Sequence, residues 1–318
     1  MKSSTSCKIC KKTFDSDRQL HSHLKAHKIR MVEYYQKHFP RYDKHTGKII
    51  KFKNKEQYFT SDFNDRGNLK KWLNEVDEKE AQEYCTGLLA NRKNKKNLKY
   101  PPTEIELRTT MMPPIHYYNK LFGNYYELCK KLGFEYRYVT PDKKMFSEEI
   151  DYPLLESQGI SIHVDTREQK PYKLNLPIEI TTLKYGDYTL SDAELCSDLH
   201  IERKSLVDFI GTLSGGYTRF RNEIERAFEA NSNLVILVED TLDHCLAFKK
   251  LPYVSKRIKA TPEFIFHNVR ELIQEYPHIQ FLFVGGKVEA ARVAELLLLT
   301  QVNHVSVDLQ NTYDIGIL

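Results

Sequence analysis

Leu199-His200-Ile201-Glu202-Arg203-Lys204 is the stretch that decides the fold, because its residues alternate in the period-2 pattern of a β-strand. Alternation places the side chains of Glu202 and Lys204 on one face of the predicted strand and that of Arg203 on the other. A carboxylate and an ammonium group therefore lie side by side on one face. A carboxylate beside an ammonium group is unusual on a strand that also contains apolar residues. The neighbouring strands are therefore where further polar site residues are expected.

Two upstream segments are predicted as further strands that each deliver a carboxylate. The segment 160–165 alternates and ends at Asp165, and the segment 185–190 contains Gly186, which permits close approach of another backbone, followed by Asp187. Carboxylates that hold a divalent cation against a phosphodiester lower the pKa of a bound water and screen the charge that develops on phosphorus. Hard oxygen ligands favour Mg²⁺ or Mn²⁺. The pattern therefore predicts a metal-dependent phosphodiesterase.

Three ordered motifs, Val-Asp-x-Arg-Glu at 164–168, Gly-Asp-Tyr at 186–188 and Glu-Arg-Lys-x-x-x-Asp at 202–208, resemble the nuclease domain of the XPF-type structure-specific endonucleases. The resemblance covers about residues 159–300 and implies an α/β, restriction-endonuclease-like core of the PD-(D/E)xK type. The alternative, a strand with a surface acidic pair, requires all three motifs to match by chance. The implied roles are metal ligation by Asp187, Glu202 and Asp165, a position at the attacking water for Lys204, completion of the acidic cluster by Asp208, and DNA contacts by Arg167 and Arg203.

Downstream of these motifs, the sequence predicts an amphipathic helix over 218–228. Arg219 and Arg221 near its N-terminus are candidate DNA-phosphate contacts, because helix N-termini favour anions and arginine binds phosphate bidentately. A solvated helix face is the alternative. Continuous apolar runs at 234–239 and 279–284 predict strands covered on both faces. The helices expected to cover them lie around 262–276 and 287–301.

The cysteines and histidines of the N-terminal segment have the spacing of metal ligands. Phe14 and Leu20 lie where a small ββα module needs its apolar core, and we predict a Cys2His2 zinc finger over residues 1–30. One finger covers about three base pairs, so it assists DNA binding but does not define a long site. A protein-binding or purely structural finger remains an alternative. The predicted Zn²⁺ ligands are Cys7, Cys10, His23 and His27.

Residues 101–140 predict short helices, since Thr103 and Glu106 form a capping-box pattern and glycines follow two apolar segments. Residues 101–134 resemble the homing-endonuclease-associated repeat, a small helical DNA-binding unit. The resemblance implies that Tyr117, Tyr118, Lys120, Tyr125 and Lys130 face phosphates, although a tyrosine-rich stripe is also typical of a core. Residues 31–100 are basic and predicted to be mainly helical, with no recognisable motif, and residues 155–305 are assigned to the nuclease domain.

The charge is divided unevenly along the chain. Residues 1–150 contain 31 Lys and Arg against 19 Asp and Glu, a net of +12, whereas residues 151–318 contain 17 against 24, a net of −7. A basic half supplies sequence-independent affinity for phosphates, so DNA is the predicted partner. A homodimer through the nuclease domain is left open. No apolar run is long enough to span a bilayer, and a cytoplasmic setting in a bacterial or phage-infected cell, or a nuclear one in a eukaryote, is expected.

These observations lead to the prediction of a Mg²⁺- or Mn²⁺-dependent DNA endonuclease with an additional Zn²⁺ site. XPF-type enzymes usually carry tandem helix-hairpin-helix motifs after the nuclease domain, and none fits the residues that follow here, so we expect the upstream basic modules to hold the DNA. On this basis, a site-directed nuclease of a phage or mobile element is the main interpretation. The alternatives are a structure-specific repair endonuclease for flaps, forks and junctions, and a DNA-binding regulator with an inert nuclease fold.

Overall fold

The computed structural model describes residues 5–42, 49, 51–52, 58, 76–110, 112–147, 149–191, 199–300 and 303–318. The chain divides into two compact units, Met1–Ala81 and Gln82–Leu318. Within the described residues, no helix has the length and apolar character needed to cross a membrane.

The first unit contains the predicted ββα arrangement. Strands β1 (Thr5–Ser6) and β2 (Thr13–Phe14) pair antiparallel and are followed by helix α1 (Asp17–His23) and a 3-10 turn (Leu24–His27). A further helix, α2 (Met31–His38), contributes to the same small core. The buried core residues of this unit include Cys7, Leu20, Leu24 and Tyr34.

The second unit is built around a six-stranded mixed sheet in the order β4-β3-β5-β6-β7-β8. Pairings β3–β4, β6–β7 and β7–β8 are parallel, whereas β5 is antiparallel to both of its neighbours. Strands β7 and β8 are almost entirely buried, as their continuous apolar runs predict. The strand bounds are β3 Ile162–Asp165, β4 Ile178–Thr181, β5 Tyr188–Leu190, β6 Leu199–Lys204, β7 Asn233–Val238 and β8 Ile279–Phe283.

Helices cover both faces of this sheet. In chain order the remaining α-helices are α3 Glu78–Lys96, α4 Glu104–Thr109, α5 Ile115–Phe122, α6 Tyr125–Lys131, α7 Tyr152–Ser157, α8 Leu206–Thr212, α9 Tyr217–Glu229, α10 Leu242–Leu246, α11 Pro262–Glu275, α12 Lys287–Leu299, α13 Asn303–Ser306 and α14 Leu309–Asp314. One core lies between the sheet and helices α8, α9 and α11, and a second core on the other face includes α12. We call these the α9 face and the α12 face. The mixed sheet between two helical layers is the α/β architecture that the sequence predicts.

The helices predicted around residues 101–134 are present and belong to the sheet-containing unit. Thr103 and Glu106 form the predicted capping box at the start of α4. Ile105 lies in the core of the α9 face, and the backbone N–H of Glu104 donates to Asp308 Oδ2 at 2.7 Å. Helix α4 therefore packs in the same hydrophobic core as the sheet. The segments predicted as 101–140 and 155–305 lie within one compact unit.

Candidate active site

Three acidic residues lie next to one another across strands β3, β5 and β6. The strand register pairs Val164 with Tyr188 and Tyr188 with Ile201, and Asp165, Asp187 and Glu202 are the residues next to these pairs. The N–H of Asp165 donates to the carbonyl of Asp187 at 2.9 Å, and the N–H of Asp187 donates to the carbonyl of Ile201 at 2.7 Å. The sheet thus brings together the backbone segments that carry the three predicted metal ligands. Among the described residues, their carboxylates do not form a group of three that could together hold a metal ion.

Gly186 permits this approach of the strands. Its φ of +68° lies in the left-handed region, and a Cβ built on it would be 2.9 Å from Cβ of His200 and 3.3 Å from the carbonyl oxygen of Ile201. Any side chain at this position therefore requires both backbone strain and displacement of β6. The predicted role of this glycine in close backbone approach is confirmed.

The half-buried Asp187 and the buried Glu202 form a carboxylate pair. Glu202 is 5 % exposed, and Asp187 Oδ2 accepts a hydrogen bond from the N–H of Arg203 at 2.8 Å. Burial raises the pKa of Asp187. Burial, followed by the charge of Asp187, raises the pKa of Glu202. Two like charges in one buried site favour the binding of a cation, because the cation offsets both their repulsion and their lost hydration.

Lys204 completes this pair on the same strand face. Its ammonium forms an ion pair with Oε1 of Glu202 and lies 5.6 Å from the ring centroid of Phe220. Burial opposes the charged form of Lys204, but the adjacent Glu202 carboxylate outweighs burial and raises the pKa of the ammonium. The group therefore holds a positive charge beside the two carboxylates.

Asp165 is bonded to the loop that follows its strand. Oδ1 accepts from the backbone N–H of Arg167 at 2.8 Å and from Arg167 Nε at 2.5 Å, while Oδ2 accepts from the N–H of Leu183 at 2.7 Å. Burial works against the ionised form of Asp165, but these hydrogen bonds outweigh it and lower the pKa. Asp165 thus organises the loop and holds Arg167, whose side chain is 63 % exposed. An exposed guanidinium beside the carboxylates is compatible with the predicted DNA contact of Arg167.

Arg203 lies in an ion-pair network, and we propose a structural role for it in place of its predicted role as a DNA contact. Its Nε donates to Glu239 Oε1 at 2.7 Å, and its NH1 lies 3.1 Å from Glu168 Oε2 and donates to the carbonyl of Lys170 at 2.9 Å. The guanidinium also lies over the ring of Tyr172, 4.7 Å from its centroid. The alternation of β6 that brings Glu202 and Lys204 together turns Arg203 to the other face, where these partners occupy its donors. We assign it a structural role.

Asp208 and Arg221 are likewise engaged in local structure. Asp208 Oδ2 accepts from the hydroxyl of Ser205 at 2.5 Å, and Ser205 Oγ accepts from the N–H of Asp208, so the two residues cap α8. Arg221 forms ion pairs with Glu225 and Glu275. Both side chains have these local partners, and the predicted catalytic role of Asp208 and phosphate contact of Arg221 remain predictions. Arg219 is exposed on α9, and its predicted phosphate contact remains a prediction.

Glu223 of α9 is a site residue that the sequence analysis missed. Its Oε1 accepts a hydrogen bond from the N–H of Gly186 at 3.3 Å. After burial, its charge is among the causes that raise the pKa of Asp187 and of Glu202. Helical periodicity places Glu223 next to the buried Ile224, where a polar residue is typical of a solvated face, so no local signal identifies it.

The helical segment of the second unit corrects two of the tyrosine assignments. Tyr118 and Tyr125 are fully buried, with ring centroids 5.2 Å apart, and are core residues that do not face phosphates. Lys120 and Lys130 are exposed and Tyr117 is half-buried, so these three remain candidate DNA contacts. The tyrosine stripe thus follows the alternative interpretation, in which it forms a core.

The first unit has the geometry of a zinc site. Ligand atoms of Cys7, Cys10, His23 and His27 all lie within 4.8 Å of one another, and no other such group of three or more His, Cys, Asp or Glu occurs among the described residues. The distance from Cys7 Sγ to His27 Nε2 is 3.6 Å and that between the two histidine Nε2 atoms is 3.0 Å. Tetrahedral zinc with ordinary bond lengths requires about 3.6 Å and 3.3 Å. The donor set therefore fits Zn²⁺.

The environment of Cys7 also suits a metal-bound thiolate. Burial works to raise the pKa of this thiol, but backbone N–H groups of Cys10 and Ile9 outweigh burial and lower it. Tyr34 of α2 packs beneath the site and accepts a hydrogen bond from the N–H of Lys8 at 2.8 Å. The finger core thus includes a residue beyond the predicted bound of residue 30.

Comparison with known proteins shows what the sheet-containing unit is similar to. Residues 164–315 match the family model of the ERCC4 domain. XPF from Aeropyrum pernix is similar at 22 % identity and a TM-score of 0.33, over 43 % of this chain and 64 % of that chain. The same protein in a complex with DNA gives 23 % identity and a TM-score of 0.34, over 43 % and 62 %. This chain thus spans less than two thirds of either structure, and no curated protein matches it. Residues 164–315 therefore resemble the ERCC4 domain, and their fold is restriction-endonuclease-like.

Proposed function

We propose that this protein is a divalent-metal-dependent DNA endonuclease that acts on branched DNA such as flaps, forks and junctions. The observation that supports it most directly is the Glu202–Lys204 ion pair at the end of β6, with the charge of Asp187 acting on Glu202, within the residues that match the ERCC4 domain. The domain match supports this reading better than the site-directed, mobile-element nuclease that the sequence analysis favoured. An inert regulator is a weaker alternative, because the ligand carboxylates and the lysine are all in place.

The carboxylate donors fit Mg²⁺ or Mn²⁺. These ions are usually held by one or two carboxylates, with water and substrate phosphate completing the coordination. Asp187 and Glu202 are the two carboxylates best placed for this role, and Glu223 is a third on the facing helix. Asp165 has both oxygens committed to N–H groups of the loop, so we assign it a weaker part in metal binding.

When bound, the metal supplies a Lewis acid that lowers the pKa of a coordinated water and screens charge on the phosphorus. The chain's own residues prepare the site around it. Burial of Glu202 strengthens its electrostatic interactions, and Lys204 places a positive charge where an anionic phosphate and the attacking water need orientation. Arg167, exposed and held by Asp165, supplies a second cation for the DNA backbone.

Cleavage of a matched substrate panel tests this function. Labelled duplex, flap, fork and four-way junction of the same sequences are incubated with Mg²⁺ and the wild-type chain, with Asp187→Asn, or with Glu263→Gln, an exposed surface control. We expect branched substrates to be cut in preference to duplex. Asp187→Asn should lower the rate by roughly 10²-fold or more, since loss of a ligand removes several kcal/mol of transition-state stabilisation.

Two outcomes contradict the proposal. Wild-type cleavage by Asp187→Asn shows that the metal site is assigned to the wrong residues. Cleavage of a randomised duplex library at one defined sequence, with no preference for branches, supports the site-directed nuclease instead.

A further inference from the structure

A second basic site lies on the sheet-containing unit, away from the carboxylates. The last turns of α3, the helix α4 and the C-terminal half of α11 enclose a cavity of about 150 Å³. Four basic side chains line it, namely Arg92, Lys96, Lys99 and Arg270. We call this cavity the α3–α11 pocket.

The two arginines in the α3–α11 pocket have unused hydrogen-bonding capacity. Nε of Arg92 is buried, yet it donates no hydrogen bond within the part of the chain that the structure describes. Arg270 makes one long hydrogen bond, 3.4 Å from NH1 to the carbonyl of Thr109. Burial, followed by repulsion from Arg92, lowers the pKa of Arg270 to about 10. Two guanidinium groups thus face one cavity without enough acceptors, a condition that an anion relieves.

The acidic groups at the pocket do not offset this charge. Glu106 is fully buried, and its carboxylate accepts from the N–H of Thr103 at 3.0 Å and from Gln274 Nε2 at 3.1 Å. Glu271 lies at the rim, 3.9 Å from Lys96 Nζ, which is a weak contact. Lys99 is paired with Glu135, 3.3 Å from its Nζ. Four cations against three carboxylates still leave the pocket net positive. The planar, five-donor guanidinium is the side chain best suited to bind phosphate oxygens.

We propose that the α3–α11 pocket binds a backbone phosphate of the DNA, at a distance from the site of cleavage. Helix α11 leads into β8 at the end of the sheet where strands β6, β7 and β8 begin. Lys204 is the last residue of β6 and lies at the opposite end of these strands. A strand of this length spans roughly 20 Å. Phe220, which lies beside Lys204, and helix α11, which carries Arg270, both pack in the core of the α9 face. A DNA molecule longer than roughly 20 Å is long enough to span the two ends of these strands. The identity of the ligand as DNA rests on the proposed function.

The test separates the phosphate site from nuclease activity. Binding of a fluorescent forked DNA is measured against salt concentration, without added divalent metal, in an Asp187→Asn chain, which is expected to cut slowly, with and without the further change Arg92→Gln/Arg270→Gln. Each lost phosphate contact lowers the slope of log affinity against log salt by about 0.9, so the double change, which removes one phosphate contact, should lower it by about 0.9. Arg292→Gln, which removes an exposed guanidinium paired with Glu289 on the α12 face, serves as the control and should leave the slope unchanged.

A second measurement uses inorganic phosphate alone. Titration calorimetry of the full wild-type chain should detect phosphate binding that Arg92→Gln/Arg270→Gln removes. An unchanged salt slope with phosphate binding retained in wild type assigns the pocket to free phosphate and overturns the DNA contact. Absence of phosphate binding to the wild-type chain overturns the pocket altogether, and this result stands even if the double variant does not fold. Phosphate titration does not depend on cleavage, so failure of the proposed nuclease function is distinguished from failure of the pocket.

Discussion

Replacement of Arg203 by methionine tests whether this arginine supports the fold or contacts DNA. In the structure its side chain is 14 % exposed, and it joins Glu168 and Glu239, which are 14 % and 10 % exposed. Methionine retains much of the length of the side chain and its packing against Tyr172, but it leaves the two carboxylates without their cation. The change therefore isolates the charge from the volume.

The expected loss of stability is large. Removing one partner from a buried ion pair destabilises a protein by about 3–5 kcal/mol, because an uncompensated charge remains. In a folding unit of this size, about 1 kcal/mol corresponds to a Tm change of roughly 2–4 °C, so Arg203→Met should lower Tm by roughly 6–20 °C. Arg221→Met is the matched control, since Arg221 is 40 % exposed and exposed ion pairs contribute about 0–1 kcal/mol. Its Tm should change by only a few degrees.

Thermal unfolding and DNA binding measured on the same variants give the decisive comparison. A triple variant in which Glu168 and Glu239 are also changed to glutamine should recover part of the lost Tm, because the buried charges are gone. If Arg203→Met instead melts like wild type and lowers the salt slope of DNA binding by about 1, the arginine contacts phosphate and the structural assignment is refuted.

Three further substitutions test other parts of the structure. Asp165→Asn should lower Tm at pH 7 but not below about pH 3. The folded-state pKa of Asp165 is lowered, so its ionised form stabilises the fold above the ordinary pKa, and this stability is lost as pH falls. Thermal melts across pH check this. Glu104→Gln should raise Tm at pH 8.5 and change it little at pH 4, since burial raises the pKa of Glu104 to about 7 and its neutral form is the stabilising one; the same melts measure it. Tyr34→Ala should weaken zinc retention against a chelator, while Tyr42→Ala, at an exposed position, should not, because loss of a buried aromatic residue costs about 3–5 kcal/mol.

Local patterns predicted most of the fold. Alternation marks β6 over exactly the residues 199–204, and the continuous apolar run at 234–239 differs from the observed β7 by one residue at each end. The capping box at Thr103 and Glu106 is also correct, because both partners lie within one turn of helix. These features depend on residues close together in sequence, so sequence alone suffices to recognise them.

Features that depend on contacts between residues far apart in the sequence were not predicted from it. Arg203 is a structural residue because Glu168 and Glu239 approach it from two other segments, and neither approach leaves a trace in the motif around Arg203. Glu223 joins the carboxylates only because α9 packs across the sheet end. In contrast, Asp187 and Glu202 were identified because the motifs that contain them lie on adjacent strands, whose pairing follows from the chain order.

The division of charge between the two halves of the sequence does not correspond to two separate bodies. Residues 82–150 contribute to the excess of positive charge, yet they belong to the same compact unit as the acidic site. The α3–α11 pocket combines Arg92 from the basic half with Arg270 from the acidic half. The sheet-containing unit therefore has its own net positive pocket, formed by packing and not by composition. If the proposed phosphate contact is correct, this unit binds DNA without the zinc finger, and one sheet orients branched DNA that reaches both the pocket and the carboxylates.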